Sequence, residues 1–289
     1  MKKYFVVSDV HSFYSELKEA LDKVGFDINN EEHILIVNGD LFDRGNETLE
    51  MYRFIKKVPK RRRVMIKGNH EQLYLELLNK NFPNSYDYSN GTVKTFCHIA
   101  KVDTYLMEPV YYYINSIQSN ITEVWDKIKT KVNNSTITRW LQSSEWKDYF
   151  ELGQFIFTHS FIPTQLKDNE EASQYPKTFY APERLLENID NWREATTPSQ
   201  WEESRWGCPY RQFDAGLFDK EKENGKVLVV GHWHTSDFNR HYLEKYEEED
   251  YSIYYGDNLI AIDACTALNQ VVNVLVIEET SSGYEIVRA

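Results

Sequence analysis

The chain has 289 residues, 41% apolar and 27% charged, enough apolar material for one large domain or two small ones and too much for a chain disordered by composition. A formal net charge of −12 argues against an extended nucleic-acid surface, which needs a basic footprint to displace counterions from phosphates, but leaves room for a small phosphorylated substrate if metal ions supply local positive charge. Cys97, Cys208 and Cys265 are far apart with no Cys-x-x-Cys spacing, so a disulfide framework is not expected and a reducing cytoplasm is the simplest setting.

The N-terminal apolar run Tyr4–Val7 is too short for a signal-peptide core, and no run of about 20 apolar residues is present to span a membrane. Tyr4–Val7 reads instead as a buried strand. Ser12 is a candidate N-cap for a helix carrying Phe13, Leu17, Leu21 and Val24 at helical spacing, stopped by Gly25. His33–Val37 reads as a second strand, Thr48–Val58 as a helix, Arg63–Lys67 as a third strand and His70–Leu78 as a third helix. This βαβαβα series is the pattern of an α/β layered fold.

From Phe82 to Phe150 the chain turns polar, aromatic and helix-like, with Ile117–Val132 and Thr138–Phe150 as the clearest helices. The segment 82–150 is read as an inserted helical cap within a single domain spanning 1–289. Pro163 to Asn224 reads as loops with short helices. Short apolar runs return at Phe155–Phe157, Val227–Val230, Leu259–Ile262 and Val271–Ile277, and the acidic run Glu247–Asp250 between two of them reads as solvated.

Metal-ligand residue types recur just beyond these strands: Asp9 and His11, then Asp40, Asn69, His159, and finally His232 with His234. Each alone has a bland reading as a turn or a core histidine. In order, each at a strand end where α/β sites assemble, they point to one shared site. Carboxylate, imidazole and amide-oxygen ligands suit divalent Mn, Fe, Zn, Ni or Co, and the lack of nearby thiolates argues against a structural zinc. Asp40 is the natural bridge between two ions, which can activate a water and clamp phosphoryl oxygens. His70, beside Asn69, is positioned to protonate a leaving oxygen, Asp43 to orient that imidazole, and Arg44 to grip phosphate as a bidentate fork.

Asp9-Val10-His11, Gly39-Asp40-Leu41-Phe42-Asp43-Arg44-Gly45, Gly68-Asn69-His70-Glu71, His159 and Gly231-His232 closely resemble the calcineurin-like metallophosphoesterases. Asp43-Arg44-Gly45 and Glu71 resemble the serine/threonine phosphoprotein phosphatase branch, which includes bacterial symmetrical diadenosine-tetraphosphate hydrolases. The resemblance implies a four-layer α-β-β-α sandwich of two mixed sheets. It also implies one ion on Asp9, His11 and Asp40 and a second on Asp40, Asn69, His159 and His232, with manganese the first candidate for both. His234 is unusual for that branch, and the wider family's Gly-His-x-His implies that it ligates the first ion. Ser160-Phe161 stand where small residues are common. The branch's second phosphate-binding arginine is assigned to Arg205, with Arg184 and Arg211 as alternatives.

The expected activity is therefore a two-metal phosphomonoesterase of serine/threonine protein phosphatase type. The alternative is a symmetrical dinucleoside-polyphosphate hydrolase, with Tyr86, Tyr88 or Tyr111–Tyr113 as candidates to stack on adenine. A phosphodiester nuclease and a non-catalytic scaffold rank lower. The partner is a phosphorylated protein or a small phosphate ester or nucleotide.

Overall fold

A computed structural model describes residues 1–107, 118–246 and 249–287. Two mixed sheets form its centre. Strands β1 (Lys3–Val7), β2 (His33–Asn38), β3 (Arg63–Ile66) and β4 (Trp146–Lys147) lie in one sheet with β12 (Leu275–Thr280) and β13 (Gly283–Val287), in the order β13-β12-β1-β2-β3-β4. The second sheet runs β10-β11-β9-β6-β5, from Tyr254–Tyr255, Leu259–Ala261, Val227–Val230, Phe155–Thr158 and Tyr149–Leu152. A small pair, β7 (Thr164–Leu166) with β8 (Leu186–Asn188), stands apart.

Side chains alternate across each strand, and this alternation sorts the apolar residues into three layers. Phe5, Val7, Leu35, Val37 and Met65 face helices on the outside of the first sheet. Tyr4, Val6, Ile36 and Ile66 face inward and meet Phe155, Phe157, Val229 and Ile260 of the second sheet. Ile156, Leu228 and Val230 face the outer layer of the second sheet, against Phe161, Trp192, Trp201 and Phe238. Both faces of each central strand are covered, so the strands read as continuous apolar runs. Each fully buried aliphatic or Phe side chain contributes about 1.5–3 kcal/mol of transfer free energy. This is the four-layer α-β-β-α sandwich.

The first three helices, α1 (Tyr14–Lys23), α2 (Thr48–Lys57) and α3 (Asn69–Asn79), fall where the apolar spacing puts them. Ser12 does not cap α1. It takes a left-handed backbone (φ 61°) and lies 3.2 Å from the Thr48 hydroxyl. The Glu47 carboxylate accepts the Ser15 N–H at 2.9 Å instead, supplying the missing cap from the next connection.

The helix expected over Thr138–Phe150 forms only as Thr136–Leu141. Beyond it, Trp146–Lys147 pairs in parallel with β3, and Tyr149–Leu152 forms a hairpin with Phe155–Thr158 around Gly153. Strand pairing overrides local helical spacing there. The last long run starts as a strand at Leu275 rather than Val271, and β5, β10 and β13 carry no clear sequence signal.

Between 82 and 150, helices at Ser85–Ser89, Thr92–Ala100 and Gln118–Asn133 sink Val93, Phe96, Trp125 and Ile128 into the same core as Phe5 and Leu35. Tyr111–Tyr113, Ile117 and residues 247–248 lie outside the described residues. Among the described residues, no helix is long and apolar enough to cross a membrane.

Candidate metal centre

β1, β2 and β3 run parallel, and so do β6, β9 and β11, so six strand ends open at one edge of the sandwich. They deliver Asp9, Asp40, Asn69, His159, His232 and Asp263. Asn38, at the end of β2, joins the sheets: its amide donates to the Thr158 carbonyl at 2.8 Å. Asp9, His11, Asp40, Arg44, Asn69, His70, His232 and His234 line one cavity of ≈ 210 Å³ together with Asp263 and Trp206. His159 is fully buried.

The loops are strained where they turn into the site. Among the described residues thirteen non-glycine residues have positive φ, and eight of them (Asp9, His11, Ser12, Asp40, Asp43, Arg44, His232 and Cys265) belong to these loops. Such strain persists only where the surroundings over-determine it. Glu71 is one such determinant. Its carboxylate accepts the backbone N–H groups of Asp40 (2.9 Å), Leu41 (2.9 Å) and Gly68 (2.7 Å), locking the loops after β2 and β3 together. Gly68 leaves the room this needs, since a Cβ there would lie 2.0 Å from Asp40 Oδ1.

The imidazoles are oriented from behind. His11 Nδ1 donates to the Phe42 carbonyl at 3.0 Å and His159 Nδ1 to the Asn38 carbonyl at 3.0 Å, which turns both Nε2 atoms toward the centre. His11 Nε2 is 3.8 Å from Asp40 Oδ2, and His159 Nε2 is 3.5 Å from Asp40 Oδ1. His159 Nε2 also lies 2.8 Å from Asn69 Oδ1. Asp9 Oδ2 accepts from the Ser8 hydroxyl at 2.5 Å and from His232 N–H at 3.0 Å. Two groups of donors converge within 4.8 Å: His11, Asp40 and His70, and Asp40, His159 and His232. Asp40 belongs to both. His234 lines the cavity but joins neither group.

Burial sets the charges. It pushes Asp40 well above the usual carboxylate range, with repulsion from Asp9 adding to the effect, and does the same to Asp263, again beside Asp9. It drives His11, His70 and His232 well below the usual imidazole range, so they are neutral and carry free lone pairs. Crowded buried carboxylates and converging imidazole nitrogens fit divalent cations between them.

His70 stands at one side. Its Nδ1 meets Asp43 Oδ2 at 2.8 Å, and its Nε2 faces Arg44 Nη2 at 3.5 Å. Asp43 also accepts from the Thr92 hydroxyl (2.8 Å) and the Thr95 hydroxyl (2.6 Å). Burial nonetheless raises Asp43 to about 7 against these two hydrogen bonds.

Residues 2–262 match the family described as calcineurin-like phosphoesterase. The chain belongs to that family. Within the family it is similar to the symmetrical bis(5'-nucleosyl)-tetraphosphatase of Buchnera aphidicola, 38% identical over 71 residues, 25% of this chain and 24% of that protein. The asymmetrical bis(5'-nucleosyl)-tetraphosphatase PrpE of Bacillus subtilis is 34% identical over 74 residues, 23% of this chain and 30% of that protein. The chain thus spans about a quarter of the length of such relatives. In fold it is similar to a cold-active protein-tyrosine phosphatase of a psychrophilic Shewanella, with TM-score 0.52, 16% identity, and 100% of this chain and 81% of that chain covered. The family implies divalent metal ions, which the donor set fits.

Arg205 is not brought to this cavity. Its guanidinium donates to Asp148 Oδ1 at 2.5 Å and lines a separate cavity of ≈ 590 Å³ with Lys67, Glu71 and Arg193. Arg184 pairs with Glu171 on the surface, and Arg211 lies over Tyr210. Sequence reasoning passed over Asp263, Thr92, Thr95 and Trp206. Asp263 carried a usable signal, since it ends an apolar strand run as Asp9 and Asp40 nearly do.

Proposed function

We propose that the chain is a two-metal phosphoesterase that cleaves a small phosphate ester, with a dinucleoside polyphosphate as the first candidate substrate. The observation that carries this reading is the convergence of metal-ligand atoms on Asp40 from both sheets: His11 Nε2 and Asn69 Oδ1 from the first, His159 Nε2 from the second. Asp9, His11 and Asp40 would hold one divalent ion, with His234 close by, and Asp40, Asn69, His159 and His232 the other. Bound there, the ions supply Lewis-acid charge and an activated water for attack at phosphorus. Manganese is the first to test.

Arg44 binds phosphoryl oxygens from the rim. His70 presents Nε2 to the leaving oxygen, and Asp43 supports the charged imidazole that proton delivery requires. Thr92 and Thr95 fix the Asp43 carboxylate, and hence the ring. The tetraphosphatase relatives support the nucleotide substrate. A serine/threonine phosphoprotein is the second reading, supported by the Asp43-Arg44-Gly45 sequence, of which Arg44 is exposed. Three free thiols support a reducing, cytoplasmic setting.

The test is a substrate panel of diadenosine tetraphosphate, phosphoserine and phosphothreonine peptides and p-nitrophenyl phosphate, run against several divalent metals with His70→Asn as the blank. Turnover of diadenosine tetraphosphate above that of the peptides is expected. Peptide turnover alone transfers the conclusion to the second reading, and no phosphate release from any substrate with any metal rejects both.

A further inference from the structure

Trp206 lines the site cavity and meets the His232 ring edge-on, with centroids 6.1 Å apart. From Trp206 a line of rings runs outward. Tyr86 lies 6.4 Å away at 36°, Phe179 lies 6.1 Å away at 33°, and Tyr180 is 4.4 Å from Phe179. Tyr86 is 46% exposed and Tyr180 63%. Single exposed rings are ordinary, but a contiguous group at the mouth of a polar cavity marks a binding surface.

Three chain segments build this group, and each is fixed to the site. The Ser160 hydroxyl donates to the Gly207 carbonyl at 2.8 Å, tying the Trp206 turn to the residue after His159. Thr178 donates its N–H and hydroxyl to Glu203 at 2.9 and 3.0 Å, tying the Phe179 turn to the helix before Trp206. The short helix Ser85–Ser89 is capped by Asn84, and Asn90 at its end donates to the Tyr86 carbonyl at 2.9 Å while lining the cavity. Gly91 then packs against Arg44 so closely that a Cβ would lie 2.4 Å from the Arg44 nitrogen. The rings are therefore held in place before any ligand arrives, which lowers the entropy lost on binding.

The cavity, at ≈ 210 Å³, is smaller than the ~300–1,000 Å³ of sites that enclose a whole ligand. In the phosphoesterase reading it would take a phosphoryl group and leave the rest of the ester on the rim. We propose, resting on the phosphoesterase reading, that Trp206, Tyr86 and Phe179 form a stacking platform for the nucleobase of the bound phosphate ester. Every base offers a π-face to such rings, whereas a phosphoserine or phosphothreonine side chain has none. Lys177 Nζ, 5.5 Å over the Phe179 ring, adds positive charge beside the platform for further phosphates of a polyphosphate chain. Of the tyrosines considered from the sequence, Tyr86 is at the rim, and Tyr88 packs against the core behind the first sheet.

The experiment compares the non-hydrolysable 5′-phosphonate isosteres of adenosine monophosphate and ribose 5-phosphate by calorimetry, on the full chain with saturating Mn²⁺. The adenosine ligand is expected to bind roughly tenfold tighter. Tyr86→Ala and Trp206→Leu should each shrink that ratio toward one, and Tyr105→Ala, at an exposed tyrosine that is not one of the platform rings, should keep it. Equal affinity for the two ligands in the wild-type chain, or a ratio unmoved by both platform variants, overturns the platform alone. Binding of neither ligand overturns the phosphoesterase reading with it.

Discussion

In the first sheet, the loops after β1, β2 and β3 carry Asp9, Asp40 and the proton-delivery pair, and they brace one another. Glu71 gathers three backbone N–H groups from two of them, and Thr92 and Thr95 hold Asp43 from the helix beyond. In the second sheet, the loops after β6 and β9 present imidazoles, and their positions depend on the opposite sheet. His159 donates to the Asn38 carbonyl, and His232 N–H donates to Asp9. The first half is thus organised locally and the second by contact across the sandwich. Damage to the first should remove chemistry and scaffold together, whereas damage to the second should remove one ligand at a time.

That contrast can be broken experimentally. The largest effect is expected from His70→Asn, which should lower the rate of phosphate release at least about 100-fold, the scale of a general acid. A loss under threefold would assign the proton to another group. Next, Glu71→Gln places an amide NH₂ against backbone N–H donors, so divalent-metal affinity should fall about 10- to 100-fold, read by titration calorimetry. Unchanged affinity would mean the loops need no such brace.

Metal content by elemental analysis sharpens the comparison between sheets. The wild-type chain should carry about two equivalents, His159→Ala about one, and Asp40→Asn less than one, because that carboxylate serves both donor groups. Equal loss in the two variants would erase the proposed asymmetry. The smallest effect is expected from His234→Ala, where affinity for the first ion should weaken. Two equivalents at unchanged affinity would give His234 a neighbouring role only.

Much of the first half is legible in the sequence because its determinants are close together. Asp9-Val10-His11, the Gly39–Gly45 stretch and Gly68–Glu71 each join a strand end to its ligand within a few residues, and apolar runs mark the strands. The Thr138–Phe150 stretch is the counter-example. It has helical spacing, yet Tyr149–Leu152 pairs with β6 and leaves the helix short. Arg205 has the charge and the position after the His159 motif, but Asp148, 57 residues earlier, draws its guanidinium to another cavity.

By itself the sequence determined which residue types end each strand, since a strand buried on both faces must be apolar and the first polar residues beyond it mark its end. Only the tertiary structure decided that Asp263 joins the same edge, that Thr92 and Thr95 hold Asp43, and that rings from three segments gather at Trp206. Those contacts join residues far apart in the chain, and their geometry follows from how two twisted sheets pack, which no local spacing encodes.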